Sequence, residues 1–324
     1  MKSNPRIAQR QLQAMTRTTK CVPGDYGTVT KLQYIAISVV GVAATVCMAQ
    51  TRPTIIDAGE PFAASRPSEK ARPHNRTKYR LANNVSAPDS HKLGQLQEVD
   101  LGVTLWQLRS AAPKDSGARM LVHEPGSSTK VEVTPERIQS ETVLNEGEQV
   151  RLSIESPRRG YLYVIDQEEY ADGTRGDAYI VFPTTRTRGG DNELTPGKLI
   201  EIPGRSDDPN YFTIKKGRSD QVKEVLTLLE TPQLLPDVKP GDEPIKLAPD
   251  KFQGWQKRWG TEAQRLEMEG GAGRNWTENE KEAGSEGAAS RALASDDPLP
   301  ETIYRAWAKP GSPAMVTVPL RVSN

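Results

Sequence analysis

From about residue 100 onward, the chain consists of short runs rich in Val, Ile, Leu and Tyr, separated by Gly, Pro, Asp and Asn. Runs of this length with turn residues between them are typical of all-β domains. The runs predicted as strands are VTLWQLR from Val103, ARMLVHE from Ala118, VRLSIES from Val150, GYLYVID from Gly160, AYIVF from Ala178, KLIEIP from Lys198, YFTIK from Tyr211, VKEVLTLLE from Val222, TIYRAWA from Thr302 and AMVTVPLRV from Ala314. We therefore expect a mainly β, sandwich-like domain over residues 100–324.

The alternation within a run predicts which side of its strand faces the core. In the run from Val150, the apolar Val150, Leu152 and Ile154 share one face, whereas Arg151 and Ser153 share the other. This pattern predicts a strand with one buried face and one solvated face.

Two further runs indicate positions within a sheet. Residues 160–165 (GYLYVI) are apolar on both faces, which predicts a strand near the middle of a sheet. The run from Ala314 contains Pro319, which has no backbone N–H to donate to a neighbouring strand. We expect this last run to be an edge strand.

Residues 250–285 interrupt the strands with a helical pattern. The side chains spaced as on one face of a helix are Phe252, Trp255, Trp259 and Leu266. We expect this stripe to pack against the sandwich as a small helical insertion. Residues 277–280 (TENE) form a capping-box pattern, which predicts the start of a second short helix.

Residues 1–49 have the composition of a targeting segment. Six basic residues and one acidic residue, Asp25, precede an uncharged apolar stretch over residues 34–49. This order is typical of a secretory signal, and cleavage after Ala49 would leave Gln50 as the new N-terminus. An uncleaved signal anchor is the alternative, because the basic lead is long and the apolar stretch approaches the length of a spanning helix.

Residues 50–99 contain scattered apolar residues without a sustained period. We expect a disordered linker between the leader and the β domain.

Removal of residues 1–49 changes the charge and the cysteine content of the chain. The remaining residues carry a net charge of −4, and both cysteines, Cys21 and Cys47, are lost with the leader. The net charge disfavours binding to nucleic acid. The loss of both cysteines excludes disulfides, thiol nucleophiles and cysteine–zinc sites from the exported chain.

Several short motifs follow one another between about residues 145 and 230. They are a glycine–aromatic strand (Gly160, Tyr161, Leu162, Tyr163), an Asp-Gly turn (Asp172, Gly173), a Phe-Pro strand end (Phe182, Pro183), an Asp-Asn pair (Asp191, Asn192) and a closing Pro-Gly and Ile-Pro (Pro196, Gly197, Ile202, Pro203). In this combination the stretch resembles the bacterial family called domain of unknown function 4384. The resemblance implies a β-rich accessory module, which in other proteins is attached to kinase-like or caspase-like domains, and it assigns no catalytic residue.

Three aspartates, Asp166, Asp172 and Asp177, surround the turn between two apolar runs. An EF-hand loop counted from Asp166 has Ala171 at its sixth position and Asp177 at its twelfth, so the glycine and the closing glutamate are missing. Asp172 and Gly173 form a strong turn pair. We expect a long hairpin connection without a tightly bound metal, and an irregular calcium site is the alternative.

A second candidate is the loop of residues 184–193, in which Arg186, Arg188, Asp191 and Asn192 are the candidate binding residues. If this loop meets the basic residues at 215–218, the two could hold an anionic polymer or a lipid surface. Interleaved acids favour two ordinary soluble loops instead.

The enzymatic alternatives have weaker support. The predicted domain contains one histidine, His123, which ends a strand, and no Gly-x-Ser-x-Gly motif is present. The paired loop acids Glu168, Glu169, Asp207 and Asp208 are the candidates for acid–base hydrolysis of an envelope polymer.

The sequence thus predicts an exported protein, periplasmic or extracellular, that acts as a non-enzymatic binding or structural module at the bacterial cell envelope. The alternative is a hydrolase of envelope polymers. We expect no catalytic residue, cofactor or metal, and no nucleic-acid partner. The partner would be an envelope protein or polymer, and the membrane would be contacted only through an uncleaved N-terminal segment.

Overall fold

The computed structural model describes residues 55–67, 77–123, 129–285 and 291–323. Its helices are α1 (Glu60–Ser65), α2 (Ser90–Leu93), α3 (Pro249–Trp259) and α4 (Glu278–Ala283). Its strands are β1 (Ile55–Ile56), β2 (Tyr79–Leu81), β3 (Gln97–Ser110), β4 (Met120–His123), β5 (Lys130–Ile138), β6 (Val143–Leu144), β7 (Gln149–Glu155), β8 (Gly160–Asp166), β9 (Glu168–Tyr170), β10 (Tyr179–Phe182), β11 (Glu193–Leu194), β12 (Ile200–Ile202), β13 (Phe212–Thr213), β14 (Gln221–Thr231), β15 (Ile245–Lys246), β16 (Gln264–Met268), β17 (Thr302–Ala308) and β18 (Ala314–Val322).

The first sheet comprises ten of the described strands and is organised around β3. On one side of β3, β17 pairs with residues 97–103 and β5 pairs with residues 105–110. On the other side, β7 pairs with residues 102–107. The remaining strands extend the sheet, with β12 and β13 beyond β7, β4 beyond β5, and β16, β2 and β1 beyond β17.

The second sheet comprises eight of the described strands, in the order β15, β10, β8, β14, β18 and β6, with β9 and β11 as short additional strands. β8 lies between β10 and β14, so the prediction that this run is central is confirmed. β18 pairs with β14 along eight residues, and its other neighbour, β6, covers only its last two residues. The edge prediction therefore holds for the part of β18 around Pro319.

The two sheets pack face to face over a common core. The core-facing side of β7 contributes Val150, Leu152 and Ile154, as the alternation predicts. Leu162 and Val164 of β8 oppose them from the second sheet. The mainly β, sandwich-like fold is thus confirmed, and its interior consists of aliphatic side chains from alternate positions of the strands.

The outer face of β7 differs from its expected solvation. Arg151 and Ser153 are almost fully buried, because further segments of the chain cover the first sheet on this side. Arg151 Nη2 lies 2.6 Å from Glu201 Oε2, and Ser153 Oγ accepts a hydrogen bond from Trp106 Nε1 at 2.8 Å. Alternating polar residues in the sequence do not show whether the polar face of a strand is covered by water or by a layer of buried ion pairs.

Much of the predicted linker is folded. Within residues 50–99, the structure describes β1, α1, β2, α2 and the start of β3, and Phe62 and Tyr79 are fully buried with Leu266 and Ile303. These two aromatic residues supply enough apolar surface to attach the segment to the sheet. They do so without creating a periodic pattern of apolar residues in the sequence, which is why the segment was predicted to be a linker. Residues 50–54 and 68–76 of the linker, and all of the leader at 1–49, lie outside the described residues.

The helical insertion is shorter than expected. α3 ends at Trp259, and the following residues form β16, which places Leu266 in the first sheet between β2 and β17. Leu266 fits the helical spacing only by coincidence. Phe252 and Trp255 pack against the outer face of the second sheet, and the predicted capping box starts α4, with Thr277 Oγ1 accepting from the Glu280 N–H.

Among the described residues, no helix has the length and apolar character needed to cross a membrane.

Candidate functional site

The most unusual group of side chains lies at the end of β8, where two acids face the interior of the sandwich. Alternation along β8 places Asp166 on the same side as Leu162 and Val164, which are core residues. In β14, Glu224 likewise shares its side with the core residues Leu226 and Leu228. Because β8 and β14 are neighbours, both carboxyl groups meet at the same end of the core.

The two carboxyl groups lie within hydrogen-bonding reach of each other. Glu224 Oε1 accepts a hydrogen bond from Gln221 Nε2 at 2.7 Å, and Asp166 accepts one from the backbone N–H of Gln167. The other two oxygens, Asp166 Oδ1 and Glu224 Oε2, are buried and have no donor among the described residues. Two carboxyl groups in this arrangement avoid repulsion by sharing a proton.

The electrostatics of the pair follow from burial. Removal from water raises the pKa of Glu224 to about 8, and the neighbouring negative charge of Asp166 adds to the effect. Burial also raises the pKa of Asp166, although hydrogen bonds oppose this shift. At neutral pH, Glu224 is therefore largely protonated, which relieves the repulsion between the two carboxyl groups.

Other buried acids of the described chain are compensated by arginine. Arg66 pairs with Glu155 at 2.6 Å, and Arg305 pairs with Asp100 at 2.9 Å. No lysine or arginine in the described ranges forms an ion pair with Asp166 or Glu224. Lys223, the adjacent residue in β14, instead contacts Glu169 on the other face of the sheet.

The pair lies at the wall of a cavity of about 230 Å³ between the two sheets. The first sheet and its following loop line it with Val150, Leu152, Ile202, Phe212 and Ile214. The second sheet lines it with Val164, Val181, Leu226 and Leu320. Phe212 is 38% exposed and Lys215 is exposed, so the cavity opens to solvent beside β13.

The three aspartates around the hairpin turn are not brought together. β8 and β10 pair as antiparallel strands, so the predicted long hairpin connection is confirmed. Asp172 accepts hydrogen bonds from the backbone N–H and hydroxyl of Thr174, and Asp177 pairs with Lys246. Asp166 instead contacts Glu224, and the described residues contain no group of three His, Cys, Asp or Glu residues that could hold a metal ion.

The loop of residues 184–193 is fixed by contacts with its neighbours. Arg186 pairs with Glu243, and Arg188 pairs with Asp191 at 2.9 Å. Asn192 is buried, and its Nδ2 donates to the backbone oxygen of Leu162 at 2.8 Å, which is a structural role. Arg186 and Asp191 remain exposed, and Arg188 is half-buried.

The second basic segment, at residues 215–218, lies at the opposite end of the second sheet. Glu193 pairs with Tyr161 at the start of β8, whereas Arg218 stacks at 3.8 Å on Tyr170, beyond the end of β8. The length of β14 separates them, which is roughly 30 Å at the rise of an extended strand. The two basic loops therefore do not form one anion-binding surface.

The loop acids expected for a hydrolase also have other partners. Glu168 accepts a hydrogen bond from the Tyr170 hydroxyl, and Glu169 lies between Lys223 and Arg175. Asp207 accepts from the Gly204 N–H at 2.8 Å, and exposed Asp208 lies 3.8 Å from His123. The sequence analysis missed Glu224. The alternation of its strand could have indicated this acid, because Glu224 lies two residues before Leu226 and therefore on the same face.

No family model matches the chain, and comparisons with curated proteins and with solved structures found no match either.

Proposed function

We propose that the chain is exported and acts at the bacterial cell envelope as a non-enzymatic binding module, with a ligand site in the cavity between its sheets. The cavity of about 230 Å³ is the observation that carries the proposal. Its walls are largely aliphatic, and its polar lining residues are Asp166, Thr213, Lys215 and Glu224. Sites for small molecules in proteins commonly combine apolar walls with a few polar groups that orient the ligand.

The binding site can be tested with an uncharged apolar probe. We expect hexan-1-ol to shift the methyl resonances of Val164, Val181 and Leu226 in NMR spectra of the folded chain, because these side chains line the cavity. Val181→Phe should fill the cavity and abolish the shifts. Val143→Phe is the matched control, because Val143 is exposed in β6 and does not line the cavity. Shifts distributed over the whole surface, or shifts that persist in Val181→Phe, would contradict the proposal.

The export part of the proposal depends on the sequence of residues 1–49 and has its own test. Mass spectrometry of the native protein should detect an N-terminus near Gln50 in the periplasmic or secreted fraction. An intact N-terminus in the membrane fraction would support the anchor instead, and cytosolic protein would contradict both.

The carboxyl pair favours a second candidate, an acid–base hydrolase of an envelope polymer. Glycosidase carboxyls are separated by about 5 Å or more to accommodate the substrate or a water. Asp166 and Glu224 are closer, since they lie within hydrogen-bonding reach of each other. Their shared proton instead resembles the aspartic-protease arrangement, in which the pair activates a water.

A hydrolase should release soluble fragments from purified envelope polymer, and both Asp166→Asn and Glu224→Gln should abolish the release. Fragment release by the unmodified chain that survives in both variants would exclude this site. A complete lack of release would leave the binding module as the function of the cavity.

A further inference from the structure

We infer that the cavity between the sheets binds a primary alkylammonium ion, with the ammonium group at Asp166 and Glu224 and the alkyl chain among the aliphatic walls. This inference rests on the proposed binding function and specifies the chemical class of the ligand.

The unpartnered oxygens indicate a donor. When both carboxyl groups are ionised, Asp166 Oδ1 and Glu224 Oε2 are buried and accept no hydrogen bond from any described residue. An ammonium group has three N–H donors and no acceptor, so it can serve both oxygens at once. An alcohol has one donor, and a carboxylate has none.

The charge at this end of the cavity selects a cation. Asp166, Glu168 and Glu224 lie on adjacent strands at the same end of the core. The charged groups around the pair are Glu168, whose carboxylate is held by Tyr170, and Lys215, which is exposed at the opening. The Glu168 carboxylate, beside two further carboxyl groups, repels an anionic head group. Elsewhere in this fold, buried acids such as Glu155 and Asp100 are compensated by arginine, and an ammonium ligand would compensate this pair in the same way.

The walls and the volume set the length of the alkyl chain. Beyond the carboxyl groups, the lining is aliphatic, with Val164, Leu226 and Leu320 from one sheet and Val150 and Leu152 from the other. A volume of about 230 Å³ corresponds to about eight non-hydrogen groups at roughly 30 Å³ each. A six-carbon chain with its ammonium group fits within this limit.

Binding should release a proton, because an ammonium ion favours the fully ionised pair. Burial raises the pKa of Glu224 to about 8, so Glu224 is protonated at neutral pH in the free protein. The ligand amine stays charged over this range, since an alkyl amine like that of lysine titrates near about 10.4. The affinity should therefore increase as the pH rises from 6 to 9.

Isothermal titration calorimetry with hexylammonium, hexan-1-ol and hexanoate tests the inference. We expect hexylammonium to bind at least about tenfold more tightly than hexan-1-ol at pH 8.5, and hexanoate not to bind. Titrations in buffers of different ionisation enthalpy should show release of up to one proton per ligand near pH 7. Glu224→Gln should weaken hexylammonium binding by about tenfold and remove its pH dependence.

Glu243→Gln is the matched control, because it removes the same charge from an exposed position in contact with Arg186. Its affinity for hexylammonium should stay within about twofold of the unmodified chain. Asp166→Asn provides a second variant of the pair and should also weaken hexylammonium binding by about tenfold, whereas the pH dependence due to Glu224 should remain.

The outcomes separate this inference from the proposed function. Equal affinity for hexylammonium and hexan-1-ol would overturn the ammonium assignment while preserving the cavity as a binding site. A preference for hexanoate would mean that Lys215 at the opening binds the head group. That result would also overturn the ammonium assignment. If none of the three probes binds, both the inference and the binding function of the cavity fail.

Discussion

At the scale of single residues, Asp166 and Glu224 are acids at positions where the strand pattern requires apolar side chains. Each follows the period of two that its strand sets, so each points inward with its aliphatic neighbours. An inward acid weakens a core unless it gains a partner or keeps a proton. The stability of the protein should therefore respond to pH in a way that depends on Glu224.

We expect the free energy of unfolding to fall between about pH 5 and pH 8 because of Glu224. Its pKa is raised to about 8 in the folded protein, compared with about 4.3 in an unfolded chain. The folded state thus binds more protons in this interval, and stability is lost as the pH rises. From pH 5 to pH 8.5, the free energy of unfolding of the unmodified chain should fall by on the order of 2 kcal/mol more than that of Glu224→Gln. This is less than the full pKa shift of Glu224 implies, because the pair is partly solvated. Urea titrations of both proteins at pH 5 and pH 8.5 measure this difference, and parallel pH profiles would contradict it.

Gly271 should not tolerate a side chain. A Cβ at this position would lie 1.9 Å from Glu301 Oε2, and Glu301 is fully buried beside Arg137. We expect Gly271→Ala to lower the free energy of unfolding by about 1–3 kcal/mol, the usual cost of overpacking. Gly117→Ala is the control, because nothing lies within 4 Å of its Cβ position. Chemical denaturation measures both, and equal stabilities would show that Glu301 can move aside.

The pair itself was only partly predictable from sequence. Asp166 stood out as an acid at a strand end, but Glu224 lies far from it along the chain, and only the register of β8 against β14 brings the two together. Asp172 and Asp177 looked equivalent to Asp166, yet each has a local partner, Thr174 or Lys246. Local sequence cannot separate an acid that faces inward from one that closes a turn until the strand boundaries are known.

At the scale of secondary structure, α3 shows where the period of apolar residues succeeds and where it fails. Phe252 and Trp255 pack on the outer face of the second sheet, as the stripe predicts. The predicted helical stripe then extends wrongly into β16, because Leu266 satisfies a helical spacing by chance.

β5 was missed for a different reason. It contains Pro135, which disfavours a strand, and the structure places Pro135 opposite Leu108 in the ladder with β3.

We expect Trp255→Ala to destabilise the fold by about 3–5 kcal/mol. Trp255 is buried against the second sheet, and its ring centroid lies 5.6 Å from that of Trp259. Thermal unfolding should show a clearly lower melting temperature. Gly254→Ala, in the same helix with open space around its Cβ position, should instead stabilise by about 0.5–1 kcal/mol. Unchanged stability of Trp255→Ala together with lost ligand binding would mean that the stripe is a binding surface.

At the scale of the whole molecule, the described part of the chain before residue 100 belongs to the folded domain. Arg66 donates to both oxygens of Glu155 in β7, at 2.7 Å and 2.6 Å, and also to the backbone oxygen of Asp297 at 3.0 Å. One side chain thus joins three distant parts of the chain. The segment of about residues 145–230 likewise supplies strands to both sheets and pairs with β3 and β18 outside it.

We expect Arg66→Met to destabilise the protein by about 3–5 kcal/mol, because it leaves Glu155 charged and buried without its partner. Arg186→Met removes an exposed pair with Glu243 and should cost less than about 1 kcal/mol. Denaturant titrations compare the two variants. A small effect of Arg66→Met would indicate that residues 55–67 attach only loosely, as the linker prediction requires.

The last two described strands, β17 and β18, are consecutive in the chain but belong to different sheets. β17 fills the place between β16 and β3, and β18 completes the pairing of β14. During synthesis, neither sheet therefore has its full set of described strands until residues 302–322 have left the ribosome.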